Sequence, residues 1–494
     1  MAQTVALAVD LGASSGRHVA GLFDGQRLEL RELHRFENGP ILAAGNMYWD
    51  LLRLWTEVQA GLRAAQVQFG DQVRSVGVDT WGVDFGLLGR RDELLGNPVH
   101  YRDQRTSGMM ERAIAEVTRA EIFSQTGLQF LPINTLYQVM ALHAARSPLL
   151  DAAETFLMMP DLFHWLLTGV KGNEFSNATT TQFFNPRRRA WAAPLLEKLG
   201  IPTKMLGTIL APGTVLGKLR PEVAAATGLN AAEVILPGTH DTASAVLAVP
   251  ATGAPQARPD WCYISSGTWS LMGVEIPEPV VNDRCLALNF TNEGGVGNTT
   301  RLLKNIGGLW LVQECRRIWR AAGKDHTWEQ LTQLAAAAEP LRSLVNPDDG
   351  MFLAPANMPQ AIAEFCRKSG QPIPESPGQV IRCALESLTL KYRQVLGWLE
   401  ELTGGRIATI QIVGGGTNNT QLSQMTADAT QRRVVAGPIE ATAIGNILMQ
   451  LISQGAVGSI NEAREIVRRN FPVMEYAPVK STAWDEAFAR FEKL

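Results

Sequence analysis

The segment PGTHDTASAV, Pro237 to Val246, holds the sharpest candidate for acid–base chemistry in the chain. Asp241 follows a strand-like run, Val234-Ile235-Leu236, and opens a stretch of small residues that predicts a helix. A carboxylate in that place can cap the helix. It can equally accept the proton of a hydroxyl that attacks a phosphoryl group. His240 beside it can donate to a sugar oxygen or can simply be a packed polar residue. A second carboxylate, Asp10, ends the apolar run Val5 to Val9 and leads into DLGASSGR. Here Ala13, Ser14, Ser15 and Gly16 form a turn whose N–H groups and hydroxyls can approach phosphate oxygens, and Arg17 adds a cation. Asp10 can hold Mg²⁺ through water, because magnesium keeps most of its hydration shell. The alternative is a polar hairpin turn.

Three further segments offer related chemistry. SSGTW, Ser265 to Trp269, repeats the hydroxyl-rich turn with Thr268 at its tip. GGGTNN, Gly414 to Asn419, follows the strand-like run Ile410 to Val413 and precedes a helix from Thr420. Consecutive glycines let a flat ring approach the backbone, and the helix N-terminus then faces the ligand. GVDTWGVDFGLL, Gly77 to Leu88, places Trp81 and Gly82 at a strand end. Trp81 can stack on a sugar face, whereas Asp79 reads as a structural, ion-paired residue.

These motifs need elements to hold them. Val5 to Val9, a turn, and Arg17 to Phe23 read as a strand hairpin. Leu52 to Gln66 repeats apolar residues at helical spacing, and Val73 to Val78 reads as a buried strand. Strands and helices then alternate, which predicts an α/β fold. The Pro-, Gly- and Ala-rich stretch Val249 to Pro259 reads as a linker. The two Ser-Gly turns, one opening each half, suggest a duplication. The expected division is 1–248, 260–455 and a C-terminal extension, 456–494.

Composition narrows the function classes. The 494 residues are 46% hydrophobic and 19% charged, with 45 Lys plus Arg against 48 Asp plus Glu. That excludes a disordered or collagen-like chain, and it leaves no basic footprint for nucleic acid. The densest basic run, Arg187 to Arg189, reads as a solvated loop. Met1 to Thr4 lacks a cationic leader, and no run approaches the ~18 apolar residues of a membrane span. Five cysteines without a CxxC pair predict a reducing, cytoplasmic setting and no zinc site. A bridge between Cys366 and Cys383 is sterically open. No GxGxxG fingerprint is present, so a nicotinamide cofactor is disfavoured.

Taken in order, the motifs resemble the FGGY family of carbohydrate kinases over essentially the whole chain. The matching segments are DLGASSGR, DTWGVDFGLL, YRDQRT, GLQFLPINTLYQ, MMPDLFHWLLTG, NATTTQ, THDTASAV, SSGTWSLMG, TNEGG, LLKNIGGLWLVQE, IVGGGTNN and GPIEATAIGNI. The resemblance implies a two-lobed actin- and Hsp70-like fold of duplicated, ribonuclease H-like topology. It implies sugar binding mainly in the first lobe, ATP binding mainly in the second, and lobe closure that excludes water. The implied activity is ATP- and Mg²⁺-dependent phosphorylation of L-rhamnulose at the C1 hydroxyl, in L-rhamnose catabolism. L-Fuculose is the alternative sugar, and a non-catalytic, nucleotide-switched protein is the alternative class. By position, Asp241 is the implied base and Asp10 the Mg²⁺-associated carboxylate. Ala13 to Arg17 and Thr268 are implied phosphate contacts. Gln313, Gly414, Gly415, Gly416 and Asn419 are implied nucleotide contacts. Trp81, Gly82, Phe130, His240, Asp241, Thr242 and Asn305 are implied sugar contacts. Many family members carry a Lys-aromatic-Trp segment where this chain has Leu136-Tyr137-Gln138, which argues against glycerol or xylulose. The expected partners are small molecules only, and the expected state is a monomer or small homo-oligomer.

Overall fold

The computed structural model describes residues 4–494, so the leader reading at Met1 to Thr4 falls, Thr4 apart, outside the described residues. The chain forms two compact units. Unit 1 comprises Met1–Pro255, Glu275–Leu302 and Ala441–Phe471. Unit 2 comprises Gln256–Val274, Leu303–Glu440 and Pro472–Leu494. The two compact units are each discontinuous in sequence. Segments 275–302 and 441–471 pack with the first half, and 472–494 packs with unit 2.

Unit 1 is built on strands β1 (Thr4–Leu11), β2 (Ser15–Phe23), β3 (Leu28–Glu37), β4 (Val73–Thr80), β5 (Val215–Lys218) and β6 (Glu233–Ile235), in the order β5-β6-β4-β1-β2-β3. The β1–β2 and β2–β3 pairs are antiparallel, while β4 lies parallel to both β1 and β6. β1 is covered on both faces, which is why Val5 to Val9 reads as an unbroken apolar run rather than an alternating one. β3 is the edge, and its sequence LELRELHRFE carries charges that discourage further pairing. The helix Leu51–Phe69 buries Leu51, Leu54, Val58, Leu62 and Phe69, one apolar face at helical spacing. Each fully buried aliphatic side chain of this kind contributes about 1.5–3 kcal/mol. Asp50 caps the helix by accepting from the Arg53 N–H.

Unit 2 repeats the plan with β7 (Trp261–Ser266), β8 (Ser270–Ile276), β9 (Thr300–Ile306), β10 (Thr409–Val413), β11 (Arg433–Ala436) and β12 (Met474–Tyr476). Their order is β9-β8-β7-β10-β11-β12. Again a hairpin, β7–β8, is antiparallel, and its first strand continues into a parallel run, β7–β10–β11. A hairpin with a third strand on one side and parallel strands on the other is the ribonuclease H-like arrangement of actin-like proteins, present here once in each unit. Among the described residues no helix is long and apolar enough to cross a membrane.

Candidate active site

Unit 1 gathers its polar chemistry where β1, β4 and the segment after β6 end. Asp241 is the first residue of the helix Asp241–Leu247. It does not cap that helix: the N-cap position is His240, and no side chain there bonds the helix N-terminus. Oδ1 of Asp241 accepts from the Thr242 N–H at 2.5 Å and the Thr242 hydroxyl at 3.1 Å, and it lies 3.5 Å from His240 Nε2. Among the described residues Oδ2 accepts no hydrogen bond, and a third of the side chain (34%) is open. Burial and the Asp10 carboxylate push this carboxyl above its ordinary range, against the pull of His240 and Thr242. The loop before it is fastened from below by Glu174. Glu174 Oε2 accepts from the Thr239 N–H at 3.0 Å, the Thr239 hydroxyl at 2.6 Å and the Ser176 hydroxyl at 2.5 Å. Ser176 Oγ in turn accepts from the His240 N–H at 3.1 Å. The helix Ala441–Ser453 closes over the Asp241 helix so tightly that a Cβ on Gly445 would stand 1.8 Å from the Ser244 carbonyl oxygen.

Asp10 pairs in register with Arg17 across the β1–β2 hairpin and with Asp79 across β1–β4. Its Oδ2 accepts from Arg17 Nε at 2.9 Å and Nη2 at 2.7 Å. The predicted phosphate cation and the predicted metal carboxylate thus hold each other. Asp79 is not an ion-paired structural residue as expected. Its Oδ2 accepts from Asn446 Nδ2 at 2.5 Å, and its Oδ1 is buried without a partner among the described residues. Burial, then the charges of Asp10 and Asp241, push Asp79 well above the carboxylate range. Asp10, Asp79 and Asp241 therefore feel one another. No three His, Cys, Asp or Glu side chains among the described residues converge as a metal cage. The Asp10 carboxylate, a hard oxygen donor at the end of β1, fits a hydrated divalent cation held through water. The turn Gly12 to Ser15 is closed by Gly12 N–H to the Ser15 carbonyl at 2.9 Å and steadied by Asn38 Nδ2 on the Gly12 carbonyl at 2.8 Å. Gly16 is explained by packing, since a Cβ there would meet the Phe36 ring at 2.2 Å.

The expected sugar-side residues Trp81 and Gly82 sit at the end of β4. Trp81 is buried, packs on Trp49 with ring centroids 3.9 Å apart, and donates its indole N–H to Asp84 Oδ2 at 3.0 Å. That N–H is therefore committed inside the protein, and only the ring is left as a wall. Asp84 also accepts from Trp49 Nε1 at 2.6 Å, Tyr101 N–H at 3.2 Å and Gln138 Nε2 at 2.9 Å. Burial raises its pKa to about 6, against the hydrogen bonds from Trp49, Gln138 and Trp81 and the Arg105 charge. Val83, between Gly82 and Asp84, has φ +67°, a left-handed conformation that a β-branched residue adopts only under constraint. Its N–H donates to Thr180 Oγ1 at 3.0 Å, and its carbonyl accepts from Thr135 Oγ1 at 2.6 Å and Gln138 Nε2 at 3.2 Å. Phe130 is buried, with Asn289 bonding its backbone on both sides and the Arg119 guanidinium 4.6 Å from its ring centre.

In unit 2, Thr268 and Gln313 come together, Thr268 Oγ1 donating to Gln313 Oε1 at 3.1 Å. The Ser-Gly turn is strapped to the helix Trp310–Ala321 through Leu309 N–H to the Gly267 carbonyl and Trp310 N–H to the Thr268 carbonyl. The glycine loop reaches the same turn from β10. Gly414 has φ +87°, and a Cβ on Gly416 would stand 1.9 Å from Ser266 Oγ. Gly415 differs: its φ is not left-handed and nothing lies within 4 Å of its would-be Cβ. Nothing among the described residues explains that glycine, which leaves room for an outside group. Asn419 caps the helix Thr420–Thr430 by accepting from the Leu422 N–H at 2.9 Å. Asn305 lies half-buried on β9 and belongs to unit 2, whereas the other expected sugar-side residues belong to unit 1. Cys366 and Cys383 are buried free thiols that hydrogen-bond each other.

Sequence reasoning missed Glu174, Asp84, Glu293, Arg301 and Asn446. Glu174 lies just upstream of the NATTTQ motif, Glu293 within TNEGG and Asn446 within GPIEATAIGNI, so the motifs pointed at their neighbourhood without assigning them a task. Arg301 carries no motif signal.

The family models for the N-terminal and C-terminal domains of the FGGY carbohydrate kinases match residues 5–248 and 262–454. A rhamnulokinase of Bacteroides thetaiotaomicron is 44% identical over 98% of this chain and 98% of its own. A rhamnulokinase of Oceanobacillus iheyensis is 42% identical over 96% and 98%. Among solved structures, a ligand-bound xylulose kinase from Lactobacillus acidophilus superposes with TM-score 0.80 at 15% identity, covering 99% of this chain and 96% of its own. A Plasmodium falciparum glycerol kinase with ADP gives TM-score 0.76 at 13% identity, covering 99% and 97%. Members of this family use ATP, generally with a divalent metal. With both domain models matched in order along the chain and relatives this similar over nearly all of it, the chain belongs to the FGGY family of carbohydrate kinases.

Proposed function

We propose that the chain phosphorylates L-rhamnulose at its C1 hydroxyl with ATP, in cytoplasmic L-rhamnose catabolism. The observation that carries the reading is the Asp241 carboxylate. Oδ1 is tied to Thr242, Oδ2 is open, and the loop behind it is bolted to Glu174. In this reading Oδ2 accepts the C1 hydroxyl proton as the oxygen attacks the γ-phosphorus and the bond to the ADP oxygen breaks. The transition state is loose, so the proton leaves late and an ordinary carboxylate suffices. Positioning supplies most of the rate. Trp81, Gly82, Phe130, His240 and Thr242 on unit 1, with Asn305 on unit 2, read the sugar. Ala13 to Arg17 and Thr268 receive phosphate oxygens. Gln313, Gly414 to Gly416 and Asn419 receive the nucleoside. Asp10 would hold Mg²⁺ through water, with Asp79 beside it. When bound, the cation neutralises phosphate charge.

The test is coupled ADP release with Mg·ATP against L-rhamnulose, L-fuculose, D-xylulose, L-ribulose and glycerol. The expected result is a kcat/KM for L-rhamnulose at least about tenfold above the others, since a polar site rejects a misplaced hydroxyl strongly. Equal or higher kcat/KM for another sugar overturns the substrate assignment.

A further inference from the structure

Behind the base lies a buried charge arrangement that the proposed reaction does not yet use. His240 Nδ1 is 3.1 Å from Arg301 Nη2 and 3.3 Å from Glu293 Oε2, and those two atoms are 3.3 Å from each other. The other ring nitrogen, Nε2, is 3.5 Å from Asp241 Oδ1. These three side chains are the charged groups that face the imidazole. Arg301 is fully buried, and its Nε donates to the Gly294 carbonyl at 2.8 Å, so the guanidinium is fixed in orientation. Glu293 is almost as deeply buried.

A guanidinium has only donors and does not lose its proton in proteins. Facing Nδ1, it requires that nitrogen to be an acceptor. A neutral imidazole has one N–H, which must then sit on Nε2 and point at Asp241. Glu293 competes for the opposite arrangement, because a carboxylate beside Nδ1 favours a proton there. Resting on the reading of Asp241 as the base, we propose that Arg301 is a positioning residue that holds His240 in the Nε2–H tautomer. The imidazole then donates to Asp241 Oδ1, locks the carboxylate's rotation together with Thr242, and leaves Oδ2 as the proton acceptor. Glu293 balances the Arg301 charge. Removing Arg301 alone hands Nδ1 to Glu293, and the Nε2–H bond to the base is lost.

The full-length chain, labelled with ¹⁵N-histidine, reports the tautomer directly at pH 7.5, with the His240→Asn variant assigning the resonance. The expected pattern is a bare Nδ1 and a protonated Nε2. Arg301→Met should move the proton to Nδ1. It should also lower kcat by about 10²-fold, the scale of misplaced acid–base groups, with the KM for ATP within about twofold. Adding Glu293→Gln removes the competitor, and the double variant should recover about tenfold of that loss. A wild-type ring protonated on Nδ1 overturns the proposal. So does an Arg301→Met ring that keeps a proton on Nε2, or a double variant no faster than the single one. Should Arg301→Met fail to fold, the wild-type spectrum and Glu293→Gln decide, since Glu293→Gln must retain the Nε2–H pattern. A correct tautomer in a chain that phosphorylates no sugar would refute the role of Asp241 and not the arrangement behind it.

Discussion

Gly415 and Gly416 are adjacent, alike in sequence and opposite in surroundings, which makes them a paired test of the nucleotide loop. A methyl on Gly416 would arrive 1.9 Å from Ser266 Oγ and 2.5 Å from Ser266 Cβ. The Ser-Gly turn cannot yield freely, because Leu309 and Trp310 strap it from the other side. Overpacking of this kind costs about 1–3 kcal/mol. A methyl on Gly415 meets nothing within 4 Å and needs no left-handed backbone. Gly415→Ala should therefore be neutral, or stabilising by about 0.4–1 kcal/mol through the unfolded chain. For nucleotide binding the order reverses in meaning. If the space over Gly415 receives the nucleoside, the methyl intrudes there and costs about 1–3 kcal/mol, or about 5- to 150-fold in affinity. Thermal melts with and without ADP, with KM for ATP and for sugar measured separately, read both quantities. The expected result for Gly415→Ala is an unchanged melting temperature, a raised KM for ATP and an unchanged KM for sugar. A variant that melts early, or one that raises both KM values equally, refutes the reasoning, because the loop would then be only structural.

Asp241→Asn keeps the side chain's shape and removes its charge, so kcat should fall by about 10²–10⁴-fold with both KM values within a few-fold. Steady-state kinetics showing near wild-type turnover would remove Asp241 from the reaction. Glu174→Gln sets an amide N–H against the Ser176 N–H that Oε1 accepts at 2.9 Å, and one such opposed buried pair costs about 1–3 kcal/mol. Urea unfolding should show that loss, and an unshifted midpoint would mean that the carboxylate is not what fastens the Thr239-His240 loop. Asp84 has a folded pKa of about 6 against an ordinary 3.8. Between those values the folded chain keeps a proton that the unfolded chain has released. Its contribution to stability is thus fully present below pH ~4 and falls by about 3 kcal/mol as pH rises through 6. Because the indoles of Trp49 and Trp81 both donate to this carboxyl, tryptophan emission should titrate with a midpoint near 6 and lose that step in Asp84→Asn. Emission flat from pH 5 to 7 would show that the carboxyl does not titrate there.

Much of this protein is written locally. The β1–β2 hairpin, the helix Leu51–Phe69 and the strand–glycine loop–helix of 409–430 all follow from periodicity and turn residues close together in the chain. So does the candidacy of Asp241, Asp10 and the glycines, because their chemistry is carried by a residue and its immediate neighbours. The family resemblance is legible for the same reason: it rests on short segments in order.

What the sequence could not display is which residue answers which across long separations. Asp79 read as structural, yet a buried oxygen without a partner beside Asp10 and Asp241 makes it part of the acidic cluster. Asp10 and Arg17 looked like two separate phosphate-site groups, and strand register pairs them. Asn446, far along the chain, returns to hold Asp79, and the segment Ala441–Phe471 joins unit 1. Glu174 and Arg301 have no motif of their own because their work is to satisfy donors and fix a ring nitrogen on other segments. Local propensity sets which elements form, since it acts through neighbours in the chain. The ionisation and orientation of the base are set by burial and by charges brought together in space, and only the tertiary structure decides those.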